Sequence, residues 1–162
     1  MHAVIGGTNM TETLFVCRTR GGGELSRPGQ LDWKGCHVVI GQDNTETFQQ
    51  YQVLINADGS ARLEWVDWKQ FTALPPGAVN VANDVYVARE IANAKFHNFL
   101  GGLYLQEQYG LIVLPPNGRK LTLGKCPTKS ITYTPCMLSP GRPHKLFFER
   151  IIIHLKHIHT SK

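Results

Sequence analysis

The feature that most constrains the fold of this chain is an internal duplication. Three blocks recur in the same order in two stretches: an Ala-Val pair, an apolar segment that ends in arginine, and a second apolar segment that follows a glycine-bearing turn. The first stretch carries Ala3-Val4, Leu14–Arg18 and Val38–Ile40, and the second carries Ala78-Val79, Val85–Arg89 and Ile112–Leu114. Ordered repetition of this kind is typical of stacked or pseudo-symmetric supersecondary units.

The repeated blocks have the composition of β-strands. Leu14–Cys17 and Val85–Val87 are short, rich in β-branched and aromatic residues, and bounded by Gly, Asn and Thr. The segment Tyr51–Ile55 partly alternates, and the turn sequence Asn56–Gly59 separates it from a second alternating segment, Ala61–Trp68. These two segments predict a β-hairpin. Because the first 123 residues show no sustained helical period, the sequence predicts an all-β body.

The predicted organisation is two tandem pseudo-symmetric antiparallel β modules, residues 1–60 and 61–123, followed by a Pro- and His-containing tail, residues 124–162. The second module opens with the tryptophan-bearing segment Leu63–Trp68, whereas the first begins within its Ala-Val block. Either the first module is truncated or its partner strand comes from elsewhere, and a missing strand would leave an unpaired edge. In the tail, the apolar residues of Leu146–Ile158 have near-helical spacing, which predicts a short C-terminal amphipathic helix.

The net charge of +5 is concentrated in the tail. Residues 1–123 hold ten Lys/Arg and eleven Asp/Glu, a balance of −1, whereas residues 124–162 hold seven Lys/Arg and the single acid Glu149, a balance of +6. A basic tail attracts polyanions weakly and without selectivity. We therefore expect no dedicated nucleic-acid partner.

The cysteines and the apolar segments bear on the compartment. No run of about 18 apolar residues occurs, so no membrane span is expected. The opening residues lack the basic flank and apolar run of a secretory signal, which predicts a cytoplasmic protein with reduced thiols, and export by a non-classical route stays open. Cys17 is predicted to be a buried thiol. The four cysteines show no CxxC spacing, so neither a metal nor another cofactor is expected.

Catalysis finds no support in the sequence. There is no GxSxG elbow, Walker loop or HExxH motif. Cys36 and His37 are neighbours in a strand, where successive side chains point to opposite faces, which argues against a catalytic dyad. Arg18 and Arg89 end equivalent strands and are predicted to pair with carboxylates at the interface between the repeats. We expect a protein that is not an enzyme.

The order of these blocks resembles the DM-nine repeat, a module that occurs in tandem in bivalve mannose-binding lectins and in natterin-like proteins. In the second copy the resemblance lies in Trp68, Leu74–Val79 and Val85–Arg89. In the first copy it lies in Ala3-Val4, Gly6-Gly7, Leu14–Arg18, Arg27–Gln30 and Gln50–Leu54. Together these segments span about residues 3–120.

The resemblance implies an all-β, pseudo-two-fold protein that binds carbohydrate, typically mannose, often as a homodimer and in innate recognition. In those lectins an acidic residue after the Gly-Gly loop and a lysine in a Pro-Gly-Lys turn contact the sugar. The corresponding residues here are Asn9 (or Thr8) and Gln30. Their side chains still exchange hydrogen bonds with hydroxyls, although bonds assisted by charge would be stronger.

The carbohydrate-binding residues predicted in the first copy are polar groups beside an aromatic ring, the combination that a sugar site needs. They are Thr8, Asn9, Gln30, Asp32 and Trp33. The sequence thus predicts a lectin-like protein for mannose-type glycans. The alternative is a structural or protein-interaction module that kept the fold and lost sugar binding.

Overall fold

A computed structural model of the chain describes residues 2–9, 12–20, 26–41, 44–57, 61–69, 71–91, 97–106, 109–113, 119–122, 135–140 and 146–152. All regular structure in these residues is β, and every strand pairing is antiparallel, which confirms the all-β prediction. Among the same residues there is no helix that is long and apolar enough to cross a membrane.

Fifteen strands form the described part of the fold. In the first half they are β1 (His2–Ala3), β2 (Ile5–Asn9), β3 (Glu12–Thr19), β4 (Pro28–Asp32), β5 (Gly35–Ile40), β6 (Asn44–Phe48) and β7 (Gln50–Asn56). In the second half they are β8 (Leu63–Asp67), β9 (Asn80–Ala82), β10 (Val85–Ile91), β11 (His97–Tyr104), β12 (Tyr109–Ile112), β13 (Arg119–Thr122), β14 (Pro135–Pro140) and β15 (Leu146–Ile152).

The main path of hydrogen-bonded neighbours runs β6-β5-β4-β3-β2-β11-β10-β14-β8. β2 and β11 therefore join the two halves of the chain, through the pairs Asn9–His97 and Thr8–Asn98. β7 lies off this path and pairs with β3, β1 and β15.

The predicted hairpin between the segments at 51–55 and 61–68 is wrong, although both strands exist. β7 pairs along its whole length with β15, and β8 pairs with β14. The side chain of Asn56 instead closes the connection between β7 and β8. Its Nδ2 donates to the Ala61 carbonyl oxygen at 2.9 Å, and its Oδ1 accepts from the Ala61 amide at 3.3 Å. The distant C-terminal strands thus displace the local pairing.

The predicted C-terminal helix is also wrong over Leu146–Ile152, which is strand β15. A strand here completes the pairing of β7, whereas a helix would leave that edge open. β15 pairs with β7 in the same way as β8 pairs with β14. The C-terminal segment therefore supplies the partner strand that is missing at the start of the first copy. The predicted helix residues beyond 152, with His154 and His157, lie outside the described residues.

The two repeated strands have matching neighbours. β3 pairs with β4 on one side and with β2 and β7 on the other, and β10 pairs with β11 on one side and with β9 and β14 on the other. The registers match as well, since Cys17 faces Gly29 and Ala88 faces Gly101. A symmetry axis that relates the two copies, and the module boundaries near residues 60 and 123, stay predictions.

The largest hydrophobic cluster is shared by both copies. Val4, Leu14, Val16 and Leu54 of the first copy pack with a larger set from the second, which includes the buried Trp68, Phe99 and Leu100. Because the removal of apolar area from water is the main source of stability, the two copies stabilise each other. A second cluster lies within the first copy and includes Cys17, Cys36, Val38, Tyr51 and Val53.

A disulfide joins Cys17 on β3 to Cys36 on β5, so the prediction of a reduced thiol at Cys17 is wrong. β4 lies between these strands, where Cys17 faces Gly29 and Cys36 faces Leu31. In a flat sheet, two strand spacings and this two-residue offset would put their Cα atoms about 12 Å apart. The observed Cα separation is 6.0 Å, which means that the sheet is sharply coiled here. Gly29 on β4 allows this coil, because a Cβ there would collide with the His37 carbonyl oxygen and lie 2.7 Å from Val38 Cγ1.

The repeated arginines reach across the boundary between the copies. Arg18 Nη1 donates to the Val81 carbonyl oxygen at 2.8 Å, and Arg89 Nη1 donates to the Gly6 carbonyl oxygen at 3.4 Å. Arg18 Nε also donates to Gln52 Oε1, and burial lowers the pKa of its guanidinium. Both arginines thus donate to a backbone carbonyl of the opposite copy, and their predicted pairing with carboxylates stays a prediction.

Candidate functional site

The turn between β4 and β5 projects an indole into solvent. Asp32 Oδ1 accepts a hydrogen bond from the Lys34 amide at 2.7 Å, an arrangement that aspartate readily makes in tight turns. Gly35 ends the turn with a φ of 138°, and a Cβ there would lie 2.8 Å from the Phe48 carbonyl oxygen. Trp33 is therefore held at the tip of a rigid two-residue turn, where 78 % of its surface is exposed.

A chain of hydrogen bonds fixes the Asp32 carboxylate. Its Oδ1 also contacts His37 Nε2 at 2.8 Å, and His37 Nδ1 lies 2.8 Å from the Thr47 hydroxyl. These three side chains come from the neighbouring strands β4, β5 and β6. Because Oδ1 receives both bonds, Oδ2 remains available to a ligand on a carboxylate whose orientation is set.

A pocket of about 480 Å³ lies beside this turn. Its walls come from the N-terminal half of β3, the β4–β5 turn and the start of β7. The lining residues are Glu12, Thr13, Phe15, Leu31, Asp32, Trp33, Lys34, Gly35, Gln49 and Tyr51. Three of these residues are aromatic, and Phe15, Leu31 and Tyr51 lie on the same face of the sheet, so the cavity has an apolar wall with polar residues beside it, a combination that is typical of small-ligand sites.

The polar groups of the pocket are available for binding. Within the described part of the chain, the half-buried Glu12 carboxylate makes no hydrogen bond or ion pair. Gln49 Nε2 donates to the Lys34 carbonyl oxygen at 2.8 Å, which leaves Gln49 Oε1 as an acceptor. Burial raises the pKa of Tyr51, so its phenol keeps its proton and can donate.

Lys34 stands over the exposed indole. Its Nζ lies 5.0 Å from the centroid of the Trp33 ring, within the range in which an ammonium group is attracted to an aromatic face. The ring thus offers a flat apolar surface that already attracts a cation. Lys34 itself is exposed, so its ammonium group is free to move away from the ring.

The structure brings together two of the five predicted carbohydrate-binding residues. Asp32 and Trp33 line the pocket, whereas Thr8, Asn9 and Gln30 do not. Thr8 and Asn9 are half-buried on β2, where Asn9 pairs with Glu12 across the strands. Gln30 is 6 % exposed, and its Oε1 accepts a 3.4 Å hydrogen bond from the Leu100 amide. Gln30 therefore links the two copies and does not belong to this pocket.

Sequence reasoning missed Glu12, Gln49 and Tyr51. They come from β3 and from the segment that opens β7, and the coiling of the sheet brings them beside the turn at Trp33. Glu12 carried one usable signal, because it is an acidic residue three positions after the predicted residue Asn9. Gln49 and Tyr51 carried no such signal, because an amide residue before a strand and an aromatic residue within one are common in proteins and do not indicate a binding site.

Within the residues that the structure describes, no group of three or more His, Cys, Asp or Glu side chains is arranged to hold a metal ion. Comparison with the known protein families gives no match to this chain, and comparison with curated proteins gives none either. A function is therefore inferred from the chemistry of the pocket and from the resemblance carried by the sequence.

Proposed function

We propose that this chain is a non-enzymatic, lectin-like carbohydrate-binding protein of the DM-nine repeat type, and that its ligands are mannose-type glycans. The binding site is the pocket beside Trp33 in the first copy. The resemblance supplies the family and the sugar, and the pocket supplies a place where a hexose fits. The second copy acts as the scaffold that carries the binding copy.

The observation that carries this proposal is the exposed indole beside unused hydrogen-bonding groups. A hexose has an apolar face of C–H groups and a rim of hydroxyls. The Trp33 ring offers a flat surface for the face, and its fixed turn keeps the ordering cost of binding low. Gln49 Oε1 can accept from hydroxyls, and the Tyr51 phenol can donate to them.

The partners and the compartment follow as proposals. A homodimer and a role in innate recognition are what the resemblance implies. The Cys17–Cys36 disulfide favours maturation in an oxidising compartment, because structural disulfides are rare where thiols are kept reduced. Release by a non-classical route is compatible with this disulfide, whereas residence in the cytoplasm is not its usual setting.

The test is binding of mannose-type glycans to the full chain and to Trp33→Ala, first on a glycan array and then by isothermal titration calorimetry. We expect the variant to bind about tenfold more weakly, since loss of one aromatic platform costs about 1.4 kcal/mol. Phe71→Ala is the matched control, because Phe71 is 82 % exposed and lies outside the pocket. Its affinity should equal that of the unmodified chain.

The rival function, a structural or protein-interaction module, has one observation in its favour. Gln30, at the lysine position of the lectins, is buried and bonded between the copies. If no glycan binds the unmodified chain, or if both tryptophan and phenylalanine variants bind like it, the sugar site at this pocket is refuted and the rival remains.

A further inference from the structure

We propose that the pocket beside Trp33 binds mannosides that carry an alkyl aglycone more tightly than it binds the sugar alone. The hexose lies against the exposed indole, and the alkyl group enters the cavity beside it. This inference rests on the proposed carbohydrate-binding function and deepens it. It adds an amphipathic ligand class, the alkyl glycosides, that resemblance to mannose-binding proteins does not imply.

The cavity has an apolar wall on one face of the sheet. Phe15 on β3 faces Leu31 on β4, so both side chains lie on the same face. Tyr51 on β7 shares that face, because it lies two residues before Val53, which faces Cys17. Phe15 and Leu31 are half-buried, so part of their apolar surface remains exposed beside the cavity. A ligand that covers this surface gains hydrophobic free energy.

The same wall continues into the apolar cluster within the first copy. Leu31 faces Cys36, and Cys36 faces Phe48, so these side chains extend the face inwards. Leu31 and Phe48 pack against that cluster, and Tyr51 is one of its buried members. The cavity therefore lies at an end of an apolar interior formed by a coiled sheet. Sites for small apolar groups commonly have this location in the mouths of β-barrels.

This wall offers few hydrogen-bonding groups. Along β3 and β4, Glu12 and Asp32 lie an odd number of residues from the apolar wall residues, so their carboxylates point to the opposite face. Gln49 Oε1 and the Tyr51 phenol remain for hydroxyls. A hexose placed wholly inside the cavity would leave other hydroxyls without partners, which weakens binding. An alkyl group needs no such partner.

The size of the cavity also favours a ligand larger than a monosaccharide. Its volume of about 480 Å³ is in the range of sites that hold drug-sized molecules, and one hexose does not fill it. Trp33 and the apolar wall line the same cavity, so one ligand can contact both surfaces. An alkyl aglycone adds the apolar part and keeps every other hydroxyl of the hexose.

The experiment measures dissociation constants by calorimetry for the full chain with methyl, butyl and hexyl α-mannoside, which share one sugar and differ only in the aglycone. Full burial of one methylene strengthens binding about fourfold. Because Trp33 and Lys34 at the rim are exposed, burial is partial, and we expect about twofold per methylene. 1-Hexanol tests whether the alkyl chain binds without the sugar.

Variants of the apolar wall test where the alkyl group binds. Leu31→Thr places a hydroxyl in the wall and keeps a side chain that suits a β-strand. Leu74→Thr is its matched control, because Leu74 is also half-buried and lies outside the pocket. Phe15→Thr, on the neighbouring strand, is the second wall variant and serves as the test if Leu31→Thr does not fold.

The expected result is an affinity for hexyl mannoside about tenfold to thirtyfold above that for methyl mannoside, with a more negative heat-capacity change. This gain should persist in Leu74→Thr and fall to about threefold or less in the wall variants. Equal binding of the three mannosides by the unmodified chain overturns the aglycone preference and leaves the proposed function standing. A gain that survives in the wall variants overturns it as well. Hexanol that binds as tightly as hexyl mannoside refutes a sugar ligand and both proposals, and so does the failure of every mannoside to bind.

Discussion

Loss of the Cys17–Cys36 disulfide gives a stability change that can be worked out from the loop that the bond closes. The bond closes a loop between residues 19 apart in the sequence. The loop-entropy relation for a ring of that size gives about 3 kcal/mol of stabilisation, through restriction of the unfolded chain. Both sulfur-bearing residues are fully buried in the cluster within the first copy, so the reduced form keeps its packing and loses mainly this entropic contribution.

The assay is urea unfolding followed by tryptophan fluorescence, with the chain either oxidised or reduced in denaturant and refolded with a reductant. With a denaturant dependence of about 1.5 kcal/mol per molar urea, reduction should lower the midpoint by about 2 M. Mass spectrometry of the unreduced chain must also show the Cys17 and Cys36 peptides linked. Unlinked peptides, or equal midpoints in the two states, would refute the reasoning.

Two further predictions concern the coil of the sheet, both measured as changes in the urea midpoint. Gly29→Ala should lower the free energy of unfolding by about 3 kcal/mol or more, the upper end of the cost of overpacking, because its new Cβ meets the His37 carbonyl. Gly41→Ala should lower it by only about 1 kcal/mol, because its Cβ meets open space at a φ of 71°. Equal losses would contradict a steric origin. Ala88→Cys combined with Gly110→Cys should form a second disulfide, since their registers match those of Cys17 and Cys36 and the Gly110 Cβ has its nearest neighbour at 3.7 Å. Two free thiols in that variant after oxidation would mean that the copies coil differently.

The strands were predictable because their signal is local. Leu14–Cys17 and Val85–Val87 lie within β3 and β10, since short β-branched segments between turn residues have few alternatives. Pairing partners were not predictable in the same way. β7 and β8 are adjacent in sequence and separated by turn residues, yet each pairs with a strand from the last 30 residues of the chain. Pairing with these distant strands covers two open sheet edges, and this stabilises the fold more than a local hairpin between β7 and β8 would.

The misassigned C-terminal segment shows a second limit. Apolar residues at 146–148 and 151–153 satisfy a helical period and also the composition of a buried strand. Short apolar runs do not distinguish these states by periodicity, and the open edge of β7 decides between them. The disulfide was hidden for a related reason. Cys17 and Cys36 have no recognisable spacing, and they meet only because Gly29 lets the sheet coil between them.

The pocket and the disulfide occur in the same copy, and the structure gives a physical reason why they belong together. The disulfide ties β3, which carries Glu12 and Phe15, to β5, which begins at the end of the turn that presents Trp33. β3 supplies one wall of the cavity and the turn that leads into β5 supplies another, so the crosslink limits how far these two walls can separate in the native state. The second copy has Ala88 where the first has Cys17. A binding site with few contacts gains most from walls that are already in position. The crosslink therefore serves the site as well as the stability of the fold, and reduction should weaken glycan binding even where the chain remains folded.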